Sequence, residues 1–242
     1  MSKSFTSKKD ARQAIWNRLQ GEKLARFPFP PHGRIPNFDG AATAANRLFS
    51  HSVMDGVNTM KVNPDAPQRY VRERALQHGI TLFMPTPRLR SGFKRFDPLV
   101  ISENAYAEAA SLSKGDQFAQ EISLDEIPQL DLIVAGSVAV TPDGKRCGKG
   151  EGYSDLEYAI LQELGHEPIP VVTTVHPVQI VDTFPKDTHD LVLQYIVTPE
   201  SVIETGADTP ADGGIQWEKI SESDFNEMPV LRKLFDTLHG KS

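Results

Sequence analysis

Arg146-Cys147-Gly148-Lys149-Gly150-Glu151-Gly152-Tyr153-Ser154-Asp155 is the stretch whose residue types could handle phosphate. Glycines at alternate positions let the backbone turn tightly and aim its N–H groups at one point. Lys149 and Arg146 add mobile positive charge. Asp155 falls where a helical pattern begins, placed to hold a magnesium ion beside a bound phosphate. The apolar run Leu132-Ile133-Val134-Ala135-Gly136 precedes the loop and the pattern Leu156 to Leu164 follows it. That order is strand, glycine-rich loop, helix. A helix start contributes unpaired N–H groups and the positive end of its dipole. A glycine turn that only connects two elements has the same glycine content. Two cations and a carboxylate in register with the strand and helix favour an anion site.

Other segments must position this loop. Ser7-Lys8-Lys9-Asp10 predicts a capped helix whose face Ala11, Ile15 and Leu19 is buried and which Gly21 ends. Lys8 and Arg12 share another face, either a solvated cationic stripe or a pair reaching a ligand. Pro28, Pro30, Pro31 and Pro36 make residues 27–38 an extended strap, with Phe27, Phe29, Ile35 and Phe38 in need of burial. Asp39 is expected to cap a helix over 41–49, and Asp65 one over 66–78 that stops at Gly79. Strands are expected at 57–62, 80–84, 132–136, 170–175, 179–181 and 191–197, and further helices at 102–114, 156–164 and 230–238. Arg88 and Arg90 follow the 80–84 strand and are candidate anion contacts, with surface arginines as the plain alternative. His176 before Pro177 reads as a hydrogen-bonded turn residue. Alternating strands and helices at this spacing predict an α/β fold with a largely parallel sheet and helices on both faces.

The chain has 242 residues, 39% of them hydrophobic, and a net charge of −6 with no basic block, which disfavours nucleic acid as a partner. No apolar run approaches the ~20 residues of a membrane span. The N-terminal residues lack a secretory pattern, and a single cysteine, Cys147, excludes a disulfide framework, so a cytoplasmic location is expected. The cations around Cys147 would lower its pKa, although a lone loop cysteine is usually incidental.

Asp131 to Val140, Asp143-Gly144 and Arg146 to Asp155 together resemble the 5-formyltetrahydrofolate cyclo-ligase family, also called methenyltetrahydrofolate synthetase. The likeness extends in order to Lys8 and Arg12, to Pro85, and to His189-Asp190 before Leu191. The sequence departs from the family pattern at Glu151, usually glycine, at Ser154, usually a second tyrosine, and at Leu156, usually arginine. No glutamate stands at Asp65-Ala66-Pro67-Gln68, where the family's folate pocket has one. The chain looks closest to a divergent, cyclo-ligase-like branch.

The resemblance implies a single three-layer α/β/α domain over residues 1-242, of the NagB/RpiA/CoA-transferase-like kind. It implies an enzyme, a ligase forming a C–N bond, with ATP and Mg²⁺ as cofactors and a reduced folate or related small molecule as substrate. Lys8, Arg12, Gly148, Lys149, Gly150, Gly152, Tyr153 and Asp155 would hold the nucleotide, Asp155 the metal, and Arg146 and Lys149 would act in catalysis. Two alternatives stay open: an ATP-binding enzyme with a changed substrate, or a non-catalytic ligand-binding or interaction module. Arg146, Lys149 and Asp155 kept together disfavour the module.

Overall fold

The computed structural model describes residues 3–209 and 214–240. An eight-stranded sheet runs through its middle. From one edge to the other the strands are Val202–Glu204, Tyr195–Val197, Val171–Thr174, Leu132–Val134, Thr59–Val62, Thr81–Pro85, Phe93–Phe96 and Gln120–Ile122. The inner run from Tyr195–Val197 to Thr81–Pro85 is parallel, and the remaining strands add antiparallel at both edges. The largely parallel sheet expected from the alternation is therefore present. The antiparallel edge strands were not foreseen, because short strands such as Phe93-Lys94-Arg95-Phe96 carry little apolar signal.

Alternation along each strand sorts side chains onto two faces. Met60, Val62, Leu82, Leu132 and Val134 pack against the helices Ala41–Phe49 and Arg69–Gln77. Phe83, Ile133, Val171 and Ile196 pack on the opposite face, against the helices Tyr153–Glu163 and Pro229–Leu238. A third cluster, with Ala11, Ile15 and Leu19 at its heart, lies under the helix Lys8–Gly21. Ser7 caps that helix by accepting the Asp10 N–H, as its sequence predicts.

Several local expectations fail, each for a visible reason. Asp39 does not cap the 41–49 helix. Gly40 takes the N-cap position in a left-handed conformation, and Asp39 pairs with Arg26. Asp65 caps nothing, since its helix starts only at Arg69. Residues 102–114 form only a short 3₁₀ turn and the single helical turn Tyr106–Ala109. Residues 177–179 form a 3₁₀ turn behind His176, which accepts the Val178 N–H as a turn residue should, and Ile180 makes only an isolated bridge to Val140. In the strap, Ile35 and Phe38 are buried, whereas Phe27 and Phe29 stay 78% and 60% exposed. Between the Leu132–Val134 strand and the glycine loop, Ala139–Val140 pairs with Arg146–Cys147 in a hairpin, so the loop leaves from a side ribbon rather than directly from the sheet.

Candidate functional site

The glycine loop lines a cavity of about 730 Å³. Asn63 and Asp65 follow one parallel strand into it, and Thr86 to Leu89 follow the next. The cavity thus opens at the carboxyl ends of the sheet, where ligands gather in open α/β folds. Gly150 has φ +107° and Gly152 φ +74°, conformations that side-chain-bearing residues rarely adopt. A methyl group added at Gly150 would also meet the Arg12 guanidinium at 3.4 Å. Gly152 is the N-cap of the Tyr153–Glu163 helix, and no side chain caps that end. The loop therefore presents positive backbone ends to the cavity.

Lys8 and Arg12, remote in sequence, both line this cavity. The Lys8 ammonium bonds the carboxylates of Asp187 and Asp190. Burial alone would lower the Lys8 pKa, but those two hydrogen bonds carry it above its ordinary value. The Arg12 guanidinium donates to Cys147 Sγ at 3.3 Å and lies 3.5 Å from the Gly148 carbonyl. Cys147 is buried, and burial pushes its thiol pKa up despite Arg12. The activation expected from nearby cations does not occur, because desolvation of the thiolate outweighs them.

Lys149 is partly exposed and pairs with Glu151 at 2.8 Å, so the loop neutralises its own cation. Arg146 is not mobile. It is buried, its Nε and Nη2 both donate to the Gly136 carbonyl at 3.0 and 2.8 Å, and Nη2 also reaches Ser154 Oγ at 3.1 Å. Asp155 lies 3.7 Å from Arg146 Nη1 and accepts the Leu191 N–H at 2.8 Å. Arg146 thus fastens the end of a sheet strand to the first turn of the loop's helix. Tyr153 lines the cavity and also packs against the core beneath it.

The sequence reading missed the cavity floor. Lys61 and Glu157 form an ion pair in which both side chains are almost wholly buried, and Glu157 lines the cavity. Asn63 donates to Glu157 at 3.2 Å and to Ser154 Oγ at 3.4 Å. The signal was a lysine between the buried Met60 and Val62, facing a glutamate on a helix's inner face. Asp65 adds another acid beside Gly136, with its pKa raised by burial and partly restored by Lys149 and Arg72. A raised carboxyl pKa means the unfolded chain loses this proton first, so Asp65 erodes stability as pH climbs above its ordinary value near 3.8. Asp65→Asn should therefore raise the melting temperature at pH 7 and change it little at pH 4. A gain that is equal at both pH values would contradict this.

The chain's first two hundred residues decide its kinship: residues 7–199 match the model of the 5-formyltetrahydrofolate cyclo-ligase family. The chain belongs to that family. A methenyltetrahydrofolate synthase domain-containing protein from Mus musculus is 44% identical over 235 residues, covering 94% of this chain and 63% of the relative. Its Homo sapiens counterpart is 42% identical over 235 residues, covering 94% of this chain and 61% of that one. The chain thus spans about three-fifths of the length of the curated relatives it matches. The solved NMR structure of Aquifex aeolicus 5,10-methenyltetrahydrofolate synthetase superposes with a TM-score of 0.53 at 14% identity, covering 87% of this chain and 98% of that one, a likeness of fold. The likeness extends over the mixed, largely parallel sheet described above. No described helix is long and apolar enough to cross a membrane.

Proposed function

We propose that residues 1-242 form one domain that binds MgATP in this cavity and uses it in ligase-type chemistry on a reduced folate or a related small molecule, in the cytoplasm. The observation that carries the reading is the convergence on one cavity of the uncapped helix start, the glycine loop and the side chains of Lys8, Arg12 and Lys149. These groups fit a polyphosphate: N–H donors at the helix start, cations around them, and no side chain on the loop at 150 or 152. The described residues contain no cluster of three metal-ligating side chains, so the protein would supply Asp155 to a magnesium ion otherwise held by phosphates and water. Bound there, MgATP would supply a transferable phosphoryl group. Lys8 and Arg12 would neutralise charge developing on it, and Lys149 would leave Glu151 to do the same. Arg146 would hold the loop in register, a positioning role.

The cavity floor favours a changed or poorly handled folate. In the stretch Asp65-Ala66-Pro67-Gln68, where the family resemblance calls for a glutamate, only the shorter carboxylate of Asp65 reaches the cavity. A site whose polar atoms do not match the substrate's buried edges penalises it strongly. MgATP is therefore expected to raise the melting temperature. Formation of 5,10-methenyltetrahydrofolate from 5-formyltetrahydrofolate, followed by absorbance, is expected to be slow. Robust turnover would show a plain cyclo-ligase. No thermal shift with MgATP or with folate would point to a non-catalytic module.

A further inference from the structure

Among the described residues, every cation lining the cavity is partnered except one. Lys8, Arg12, Lys94, Arg146 and Lys149 each meet an acceptor or a carboxylate. Among the described residues, Arg88 lines the same cavity, is exposed to it, and has no hydrogen-bond or ion-pair partner. Its backbone is strained. Arg88 (φ 54°) and Leu89 (φ 53°) adopt consecutive left-handed conformations without glycine, which side-chain-bearing residues take only when the surroundings impose it. Those surroundings are visible. Leu89 is buried in the core, Thr86 and Gly92 close the turn with two hydrogen bonds to the Gly92 carbonyl, and the Ser91 N–H donates to Thr86 Oγ1. The turn holds a free guanidinium at the wall at the cost of backbone strain. Met84, Pro85, Leu89 and the half-exposed Leu112 make that part of the wall apolar.

We propose that Arg88 is a second oxyanion site of this cavity, separate from the glycine loop, which takes the carboxylate or phosphate of a co-substrate with an apolar or aromatic body. A guanidinium suits this task because it binds an oxyanion through two parallel N–H bonds. The inference rests on the reading above only in giving the loop to the nucleotide.

The test fills the loop with magnesium and a non-hydrolysable ATP analogue, then titrates 5-formyltetrahydrofolate and, separately, inorganic phosphate onto wild type, Arg88→Ala and Arg88→Gly by calorimetry. The expected result is a ten- to hundred-fold loss of 5-formyltetrahydrofolate affinity in both variants, with nucleotide affinity within two-fold of wild type. Arg88→Gly relieves the left-handed strain, so it should melt no lower than wild type while losing the ligand. If wild type takes phosphate but not the folate, and the variants lose phosphate, the oxyanion site stands and the folate reading fails. Wild type taking neither probe, variants matching wild type for both, or an equal loss of nucleotide affinity would each overturn the proposal.

Discussion

Lys61→Met is expected to destabilise the protein by about 3–5 kcal/mol, because it leaves the Glu157 carboxylate buried without its counter-ion. For a chain of this size that is a fall in melting temperature of ~10 °C. The sign comes from desolvation. Two charges taken out of water together roughly offset their cost by mutual attraction, whereas one left alone does not. The partner substitution shows whether the pair itself or the orphaned charge sets the effect. Lys61→Met with Glu157→Gln removes both charges and keeps an acceptor for Asn63 Nδ2. It should recover most of the lost stability in chemical denaturation. A double variant as unstable as the single one would show that the methionine's fit, not the orphaned carboxylate, is at fault.

Arg146→Ala should be nearly as costly and should also disable the loop. It orphans the Gly136 carbonyl, which the guanidinium satisfies twice, and frees Ser154 and Asp155. A buried carbonyl without a donor costs about 1–3 kcal/mol. Since Arg146 holds the helix start against the sheet, MgATP affinity should fall with stability. Arg146→Lys keeps the charge but not the fork, so it should recover little of either. If Arg146→Lys restored nucleotide affinity fully, Arg146 would be acting as a simple charge beside the phosphates, as the sequence first suggests, and not as a fastening.

The sheet and its helices were legible because long apolar runs such as Leu132 to Gly136 and the pattern of Lys8 to Gly21 carry their own period. The glycine loop was legible because positive φ at Gly150 and Gly152 demands glycine, and sequence shows glycine directly. Lys8 and Arg12 could be brought to the loop only through the family resemblance, since nothing local ties residues 8 and 12 to residue 150. What stayed hidden depends on tertiary partners. Asp39 and Asp65 have cap-like spacing, but Arg26 captures one and the cavity wall claims the other. Arg146 looked like a free cation until the Gly136 carbonyl was found beside it. The Lys61–Glu157 pair joins a strand to a helix ninety-six residues later, and neither residue announces the other.

The central claim is that the glycine loop holds a nucleotide polyphosphate, and titration calorimetry of MgATP on wild type and Lys149→Ala tests it most directly. Lys149 is partly exposed, so its loss should leave the fold intact. One charge-assisted phosphate contact contributes about 1.5–3 kcal/mol, and the release of Glu151 on binding offsets part of it. The account predicts saturable one-to-one binding to wild type and a roughly ten-fold or greater loss in the variant, with unchanged melting temperature in the absence of nucleotide. No binding to wild type, or equal affinity in the two proteins, would contradict it.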